Sequence, residues 1–301
     1  MDPLTHAATG GALWRLLCSA KRRDLLVLLA AASVAPDVDY LTRLWGADVF
    51  LRYHRGLTHG VLALFAAPLL IALLWGLRRG EFLRYFFLTL LAWGLHLGLD
   101  LVNPYGTRLL SPLYWEALSL DWVFILDPYI LLAFLTAFLW PGLFRGRARR
   151  AAALAFLFVF AYVGARAWLH QEALEFLQGR VDAYRYKLSP LPNDFLRWWF
   201  VADEGHRYSV GFVDLLSRRL CIQGHYDKGL PPLAEASKGH RVVKNFLYFA
   251  KYPGVRVKRQ EDGTTVVVWK ELSYGFLPGE RFEARLWLGP QGRVLRAQFK
   301  F

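Results

Sequence analysis

The segment His54-Arg-Gly-Leu-Thr-His59 sets two imidazoles five residues apart where a long apolar run begins. Groups of the same chemical kind gather before and after it: His6, Asp37 and Asp39, then His96 with Asp100, then Asp121 and Asp127. Each lies at the edge of an apolar stretch or a few residues inside one. An ionisable residue at membrane depth is a functional hypothesis by default. Imidazole and carboxylate together suit Zn²⁺, Mn²⁺ or Fe²⁺. His96-xxx-Asp100 is spaced i, i+4, so both side chains leave one face of a helix. Asp37-Val-Asp39 follows Pro36 in an irregular segment where carboxylates can bend toward a cation. His54 precedes its helix, with Gly56 permitting the turn, and Thr58 and His59 fall in the first helical turn. Several buried carboxylates repel one another unless a cation neutralises them. A divalent ion would also supply chemistry, by acidifying a water and polarising a phosphoryl or carbonyl oxygen. Arg52, Arg55 and Arg108 flank the set and suit an anionic group such as phosphate. Asn103 and Thr107, in Asn103-Pro-Tyr-Gly-Thr107 directly after the His96-xxx-Asp100 helix, suit orienting substrate or binding a metal-bound water. Plainer roles compete. Asp37 and Asp39 taken alone could cap helices, and Asp121 could cap a helix starting at Trp122, which makes Asp127 the preferred site residue. His170, His206, His225 and His240 read as structural.

The elements that must position these residues are mostly membrane spans. Residues 57–77, 82–102, 122–143 and 151–169 each reach the roughly 20 apolar residues that a bilayer requires. Residues 3–20 are apolar and small, with Gly10 and Gly11 allowing close helix approach. Residues 25–36 are short for a span, and Pro36 ends them. The basic clusters Lys21–Arg23, Arg78-Arg79 with Arg84, and Arg145–Arg150 are expected on the cytoplasmic side. Threading the chain through them puts His6, Asp37, Asp39, His54, His59, His96, Asp100 and Asp121 at one extracytoplasmic face. Asp127 then lies two helical turns or less below it. Only Lys and Arg entered that argument, so the convergence is independent support for a site. Residues 171–190 read as an exit helix and linker. Beyond them, 207–216, 255–272, 281–289 and 293–301 alternate with period near two, Asp262-Gly263 marks a hairpin, and 240–252 reads as a helix. The expected fold is a mainly α transmembrane bundle over 1–170, followed at 190–301 by a small extracytoplasmic α+β domain with antiparallel strands.

Composition agrees. The 301 residues are 55% hydrophobic with mean hydropathy +0.24, too apolar for an ordinary soluble chain. The net charge of +13 sits largely in short loops between apolar runs and carries no nucleic-acid motif, so a lipid bilayer is the expected partner and nucleic acid is not. Cys18 and Cys221 lie in different halves, which argues against a disulfide framework or a zinc ribbon. Met1-Asp-Pro lacks the basic start of a cleaved signal peptide.

As an ordered set, Thr5-His6 with Gly10, Pro36-Asp-Val-Asp39, His54–His59, His96-xxx-Asp100, Asn103–Thr107 with Ser111-Pro112, and Asp127-Pro128 resemble the bacterial and archaeal membrane-bound metal-dependent hydrolases of the YdjM type. The resemblance covers roughly residues 1–130 and implies an inner-membrane location. The tail, with Tyr208–Leu216, is similar to an extra domain that some members carry. More distantly, the order His, Asp, His, HxxxD resembles the helical zinc phospholipase C and P1 nuclease group, which implies phosphoester hydrolysis. In a membrane that favours a lipid-like substrate. No second His-xxx-Asp/Glu pair lies between Asp100 and His170, so one or two ions are expected, zinc first and manganese or iron as alternatives.

On that resemblance His6, Asp37, His59, His96 and Asp100 are the expected metal ligands. Asp39, His54 and Asp127 are expected as further ligands or a general base, with Arg52, Arg55, Asn103, Thr107 and Arg108 on the substrate. Three other readings compete. An amide hydrolase lacks support because no HExxH is present. A metal carrier would need a polar path to the cytoplasmic face, and none is seen. A scaffold would carry no stoichiometric metal.

Overall fold

The computed structural model describes residues 1–139 and 147–301. The chain separates into two compact units, one of residues 1–40 and 55–168, the other of 41–54 and 169–301.

The first unit is helical. Asp2 caps α1 (Pro3–Leu17), its carboxylate accepting from Thr5 N, and Pro3 occupies the first turn, where its missing N–H costs nothing. At Gly10 a side chain would fall 2.6 Å from Leu29 O, so the glycine is what lets α1 close on α2 (Arg23–Val34). Pro36 does not end this path, contrary to the sequence reading. The backbone tightens there into 3-10 turns through Ala35–Trp45. Proline tolerates that geometry, since its fixed φ suits the tighter helix. The continuous stretch Arg23–Trp45 is therefore long enough to span. The run read as 57–77 begins later, as α4 (Val61–Ile71), because a 3-10 turn at Leu57–His59 and an extended Gly60 precede it. Pro68 inside α4 withholds an N–H, and the helix widens into a π turn over Ala72–Gly76. α5 (Phe82–Leu101) follows as expected.

The run read as 122–143 differs most. Its helix, α6, is Pro128–Leu139, and Asp127 caps it by accepting from Tyr129 N and Ile130 N. Asp121 therefore caps nothing at Trp122; it sits at φ +64 before an irregular segment. The end of that run and Arg145 of the basic cluster lie outside the described residues. α7 (Ala148–Gln178) absorbs both the 151–169 run and the exit helix. Its 31 residues rise roughly 46 Å, more than the hydrocarbon core requires. Among the described residues four helical stretches are long and apolar enough to cross a membrane: Arg23–Trp45, Val61–Arg79, Phe82–Leu101 and Ala148–Gln178.

The second unit holds two four-stranded antiparallel sheets, each a simple meander. β1 (Arg185–Pro190), β2 (Arg197–Asp203), β3 (Arg207–Asp214) and β4 (Arg219–Asp227) form one. β5 (Pro253–Arg259), β6 (Thr265–Glu271), β7 (Glu283–Leu288) and β8 (Val294–Lys300) form the other. Gly263, at φ +81, makes the expected turn between β5 and β6. β1 fills the end of the stretch read as a linker. Its inward Leu188 packs with Trp198 and Phe200 of β2 and Phe176 and Leu177 of α7. α3 (Ala47–Tyr53), from the N-terminal half of the sequence, belongs here as well. Asn245 of α8 (Arg241–Phe249) donates to Asp48 Oδ2 at 2.8 Å and accepts from Arg52 at 3.1 Å.

Candidate metal centre

Four of the sequence-selected side chains converge inside the helical unit. Asp37 arrives from the 3-10 segment after α2, His59 from the turn before α4, and His96 and Asp100 from one face of α5. All four are buried, and one donor atom from each lies within 4.8 Å of all the others. His59 Nε2 stands 3.1 Å from His96 Nε2, 3.3 Å from Asp100 Oδ2 and 3.5 Å from Asp37 Oδ1. His96 Nε2 stands 3.3 Å from Asp100 Oδ2 and 3.8 Å from Asp37 Oδ1. Four ligands at 2.0–2.1 Å around a tetrahedral ion would be about 3.3 Å apart. The observed spacings bracket that value.

The proton positions make the same point. His96 Nδ1 lies 2.7 Å from the carbonyl of Ser33, which can only accept, so Nδ1 carries the hydrogen. Thr58 Oγ1 donates to Asp39 Oδ2 at 2.9 Å and sits 2.9 Å from His59 Nδ1. Its one hydrogen is spent, so it accepts from His59 Nδ1. Both neutral rings therefore turn Nε2 lone pairs toward each other. Two lone pairs and two carboxylates facing inward repel unless a cation lies among them. Asp37 Oδ2 and Asp100 Oδ2 make no hydrogen bond in this buried setting, which is where an ion would serve. The residues fit a divalent metal.

His6 joins the edge of this group. Its ring stacks on His96 with centroids 3.6 Å apart, Nε2 is 3.3 Å from Asp100 Oδ1, and neither ring nitrogen makes a hydrogen bond. The α-amino group of Met1 also contacts Asp100 Oδ1. Arg55 is held at φ +57, a left-handed conformation that a bulky residue rarely adopts. That turn lets its backbone N–H reach Asp39 Oδ2 at 2.9 Å while its guanidinium reaches Asp100 Oδ1 at 2.7 Å. Asn103 Oδ1 and the Tyr105 carbonyl brace the guanidinium at 3.1 and 2.7 Å. Arg108 is buried, and its backbone N–H donates to the Arg55 carbonyl. Thr107 is fixed by backbone bonds to Leu118 in both directions.

Two selected residues, Asp127 and Arg52, stand elsewhere. Asp127 spends one carboxylate oxygen on the α6 cap and the other on Tyr162 Oη at 2.7 Å. Arg52 belongs to the second unit, over the Tyr248 ring. His54 closes α3 in that unit, its ring stacked on Phe50. Conversely, two partners of the histidines carry no mark in the sequence as such. The Ser33 carbonyl is backbone, and Thr58 was legible only as a hydroxyl beside a histidine.

The chain resembles YfhP, an uncharacterised protein of Bacillus subtilis (strain 168), at 32% identity over 147 residues. That match covers 46% of this chain and 45% of YfhP, so the chain spans less than half of that relative's length. No solved structure matches. Residues 1–173 match the model of the YdjM inner membrane proteins, a reach that takes in every ligand candidate, the first three candidate spans and most of the fourth. With more than half of its length matched, the chain belongs to the YdjM inner membrane protein family.

Proposed function

We propose that the protein is a membrane-bound, metal-dependent hydrolase that cleaves a phosphoester of a lipid-like substrate. The observation that carries this reading is the inward-facing set Asp37, His59, His96 and Asp100, buried with its donor atoms within 4.8 Å of one another. These four would hold one ion, zinc first by ligand type and spacing, with manganese or iron as alternatives. His6 with Asp100 Oδ1 offers a second position. When bound, a divalent ion supplies a polarised phosphoryl oxygen and a more acidic water.

The chain's own residues prepare the rest. The Ser33 carbonyl and Thr58 hold both histidines in the tautomer that turns the Nε2 lone pair toward the carboxylates. Asp39, 3.4 Å from His59 Nδ1, orients that ring. Arg55 is locked by Asn103 and the Tyr105 carbonyl beside Asp100, with its charge fixed before a substrate arrives. A preset positive charge suits the negative charge that builds on a phosphoryl group during hydrolysis. Arg108, on the loop after α5 and tied to the Arg55 backbone, adds a second cation. The distribution of Lys and Arg supports an extracytoplasmic position for this face at the inner membrane.

The test is a hydrolysis screen on detergent-purified protein reloaded with Zn²⁺, Mn²⁺ or Fe²⁺. The substrates are p-nitrophenyl phosphate, bis-p-nitrophenyl phosphate and long-chain phosphatidic acid. The reading expects turnover with at least one ion, abolished in His59→Ala. Equal turnover by wild type and His59→Ala, or none with any ion, overturns it.

A further inference from the structure

We propose that an apolar groove along α4 holds one hydrocarbon chain of a lipid phosphoester whose head group reaches the metal-ligand cluster. The proposal rests on the hydrolase reading and assigns the part of the substrate that does not react.

The groove encloses about 570 Å³, and each residue lining it is apolar. That volume lies in the range of small-molecule pockets. Val61, Leu62, Phe65, Ala66 and Leu69 form a single stripe of α4, spaced at one, four, five and eight residues from Val61 as one helix face requires. From Val61 to Leu69 the helix rises about 12 Å. Phe86 of α5 lines it too, and Pro112 and Leu113 of the loop after α5 complete it.

The groove begins next to the cluster along the chain. Val61 follows the ligand His59 by two residues, and its backbone N–H donates to the Leu109 carbonyl, next to Arg108. Ser111, just before Pro112, is buried and donates to the Gly56 carbonyl. At Gly60 a side chain would fall 2.1 Å from Ser111 Oγ, so the loop lies directly on the segment that carries His59. One wall thus borders both the apolar groove and the loop that bears Arg108, whose backbone N–H bonds the Arg55 carbonyl. A chain lying along α4 would bring its polar end to these cations.

A transmembrane helix of a partner fits less well. Helices that pack in lipid approach through small residues, whereas this stripe presents Leu62, Phe65 and Leu69. A second groove of about 370 Å³, between α6 and α7, provides an internal control because no member of the ligand cluster adjoins it.

The experiment uses the full chain, zinc-loaded, in phosphatidylcholine vesicles with phosphatidic acid bearing a diazirine near the end of one acyl chain. Photolabelled positions are mapped by peptide mass spectrometry. Label is expected on residues 61–69 and Phe86 and to be displaced by unlabelled phosphatidic acid. Ala66→Trp, which fills the groove from an exposed position, is expected to cut that label about tenfold while retaining zinc content. Ala133→Trp in the other groove is expected to leave it unchanged. Label spread evenly over the apolar helices, or not displaced by phosphatidic acid, overturns the proposal and marks bulk lipid as the occupant. Label indifferent to Ala66→Trp also overturns it. Hydrolysis of p-nitrophenyl phosphate, read in parallel, judges the enzyme reading separately. Turnover with diffuse label sinks the groove alone. Focused label without any turnover sinks the hydrolase and leaves a lipid-binding site.

Discussion

The helical unit contains two clusters of charged and polar groups, and they are built on opposite principles. In one, Arg22 forks between Asp24 and Glu81, Arg84 adds a bond to Glu81, and Tyr85 adds one to Asp24. All four carboxylate oxygens there accept a hydrogen bond, and the groups are partly open to solvent. In the other, Asp37 and Asp100 are buried, each keeps an oxygen without a hydrogen bond, and two imidazole lone pairs face each other. The first cluster is complete as it stands and ties elements together. The second is incomplete without a cation, and that incompleteness distinguishes a binding site from a structural network.

The sharpest way to break this contrast is to remove Asp100. Asp100→Ala takes away a ligand and strips the buried Arg55 guanidinium of its carboxylate. The expected loss is about 3–5 kcal/mol of stability, the scale of a broken buried pair. Hydrolysis is expected to fall by more than about a hundredfold, the upper end for losing only an outer partner of a metal site. Thermal unfolding and turnover measured side by side check both numbers. Next in size is the response to metal. At free zinc one hundred times its Kd, the wild type is expected to gain about 2.7 kcal/mol over the chelated protein. Arg22→Gln should show a lower unfolding midpoint but the same gain, because its cluster needs no ion. An equal gain in His96→Ala would place the metal elsewhere.

A smaller effect probes the outer partner. Thr58→Val removes the acceptor that fixes His59, and zinc affinity is expected to weaken about 10- to 100-fold. Turnover should survive at saturating zinc, and Thr58→Ser should restore affinity. Loss of turnover at saturating zinc in Thr58→Val would assign Thr58 a direct chemical part instead. The smallest effect belongs to the completed cluster. Hydrogen bonds from Arg22 hold the Glu81 carboxyl down to about 2 from its ordinary 4.5. A depressed carboxylate contributes stability that is present above its unfolded pKa and lost as pH falls through the folded one. The Glu81 contribution should therefore fade between pH 4.5 and about 2. Glu81→Gln should flatten the unfolding profile in that window and leave zinc content at neutral pH untouched.

Residue type and local spacing made much of the site legible. His96 and Asp100 share a face because the i, i+4 spacing requires it, and His59 and Asp37 stand where apolar runs meet loops. What was hidden is non-local or backbone-borne. The Ser33 carbonyl that sets the His96 tautomer has no signature in residue identity. Segment 41–54 joins the second unit through Asp48 and Asn245, partners 197 positions apart in sequence. No periodicity reports such a pairing, so Arg52 reads as a neighbour of His59 by sequence alone. Asp121 read as the cap and Asp127 as the site residue, yet it is Asp127 that caps α6. The irregular backbone from Asp121 to Asp127 decided between them, and propensity does not foretell such a segment. The early strands escaped for a related reason. Pro190 and Pro192 bracket the end of β1 and resemble linker punctuation, yet β1 lies at the edge of its sheet, where proline is tolerated.

The central claim is that Asp37, His59, His96 and Asp100 hold a divalent ion. Elemental analysis of the detergent-purified wild type beside a His96→Ala/Asp100→Ala double variant tests it most directly. Near-stoichiometric zinc, manganese or iron in the wild type, absent from the double variant, is the predicted result. No metal in the wild type even after reloading with each ion, or equal metal in both proteins, would contradict it.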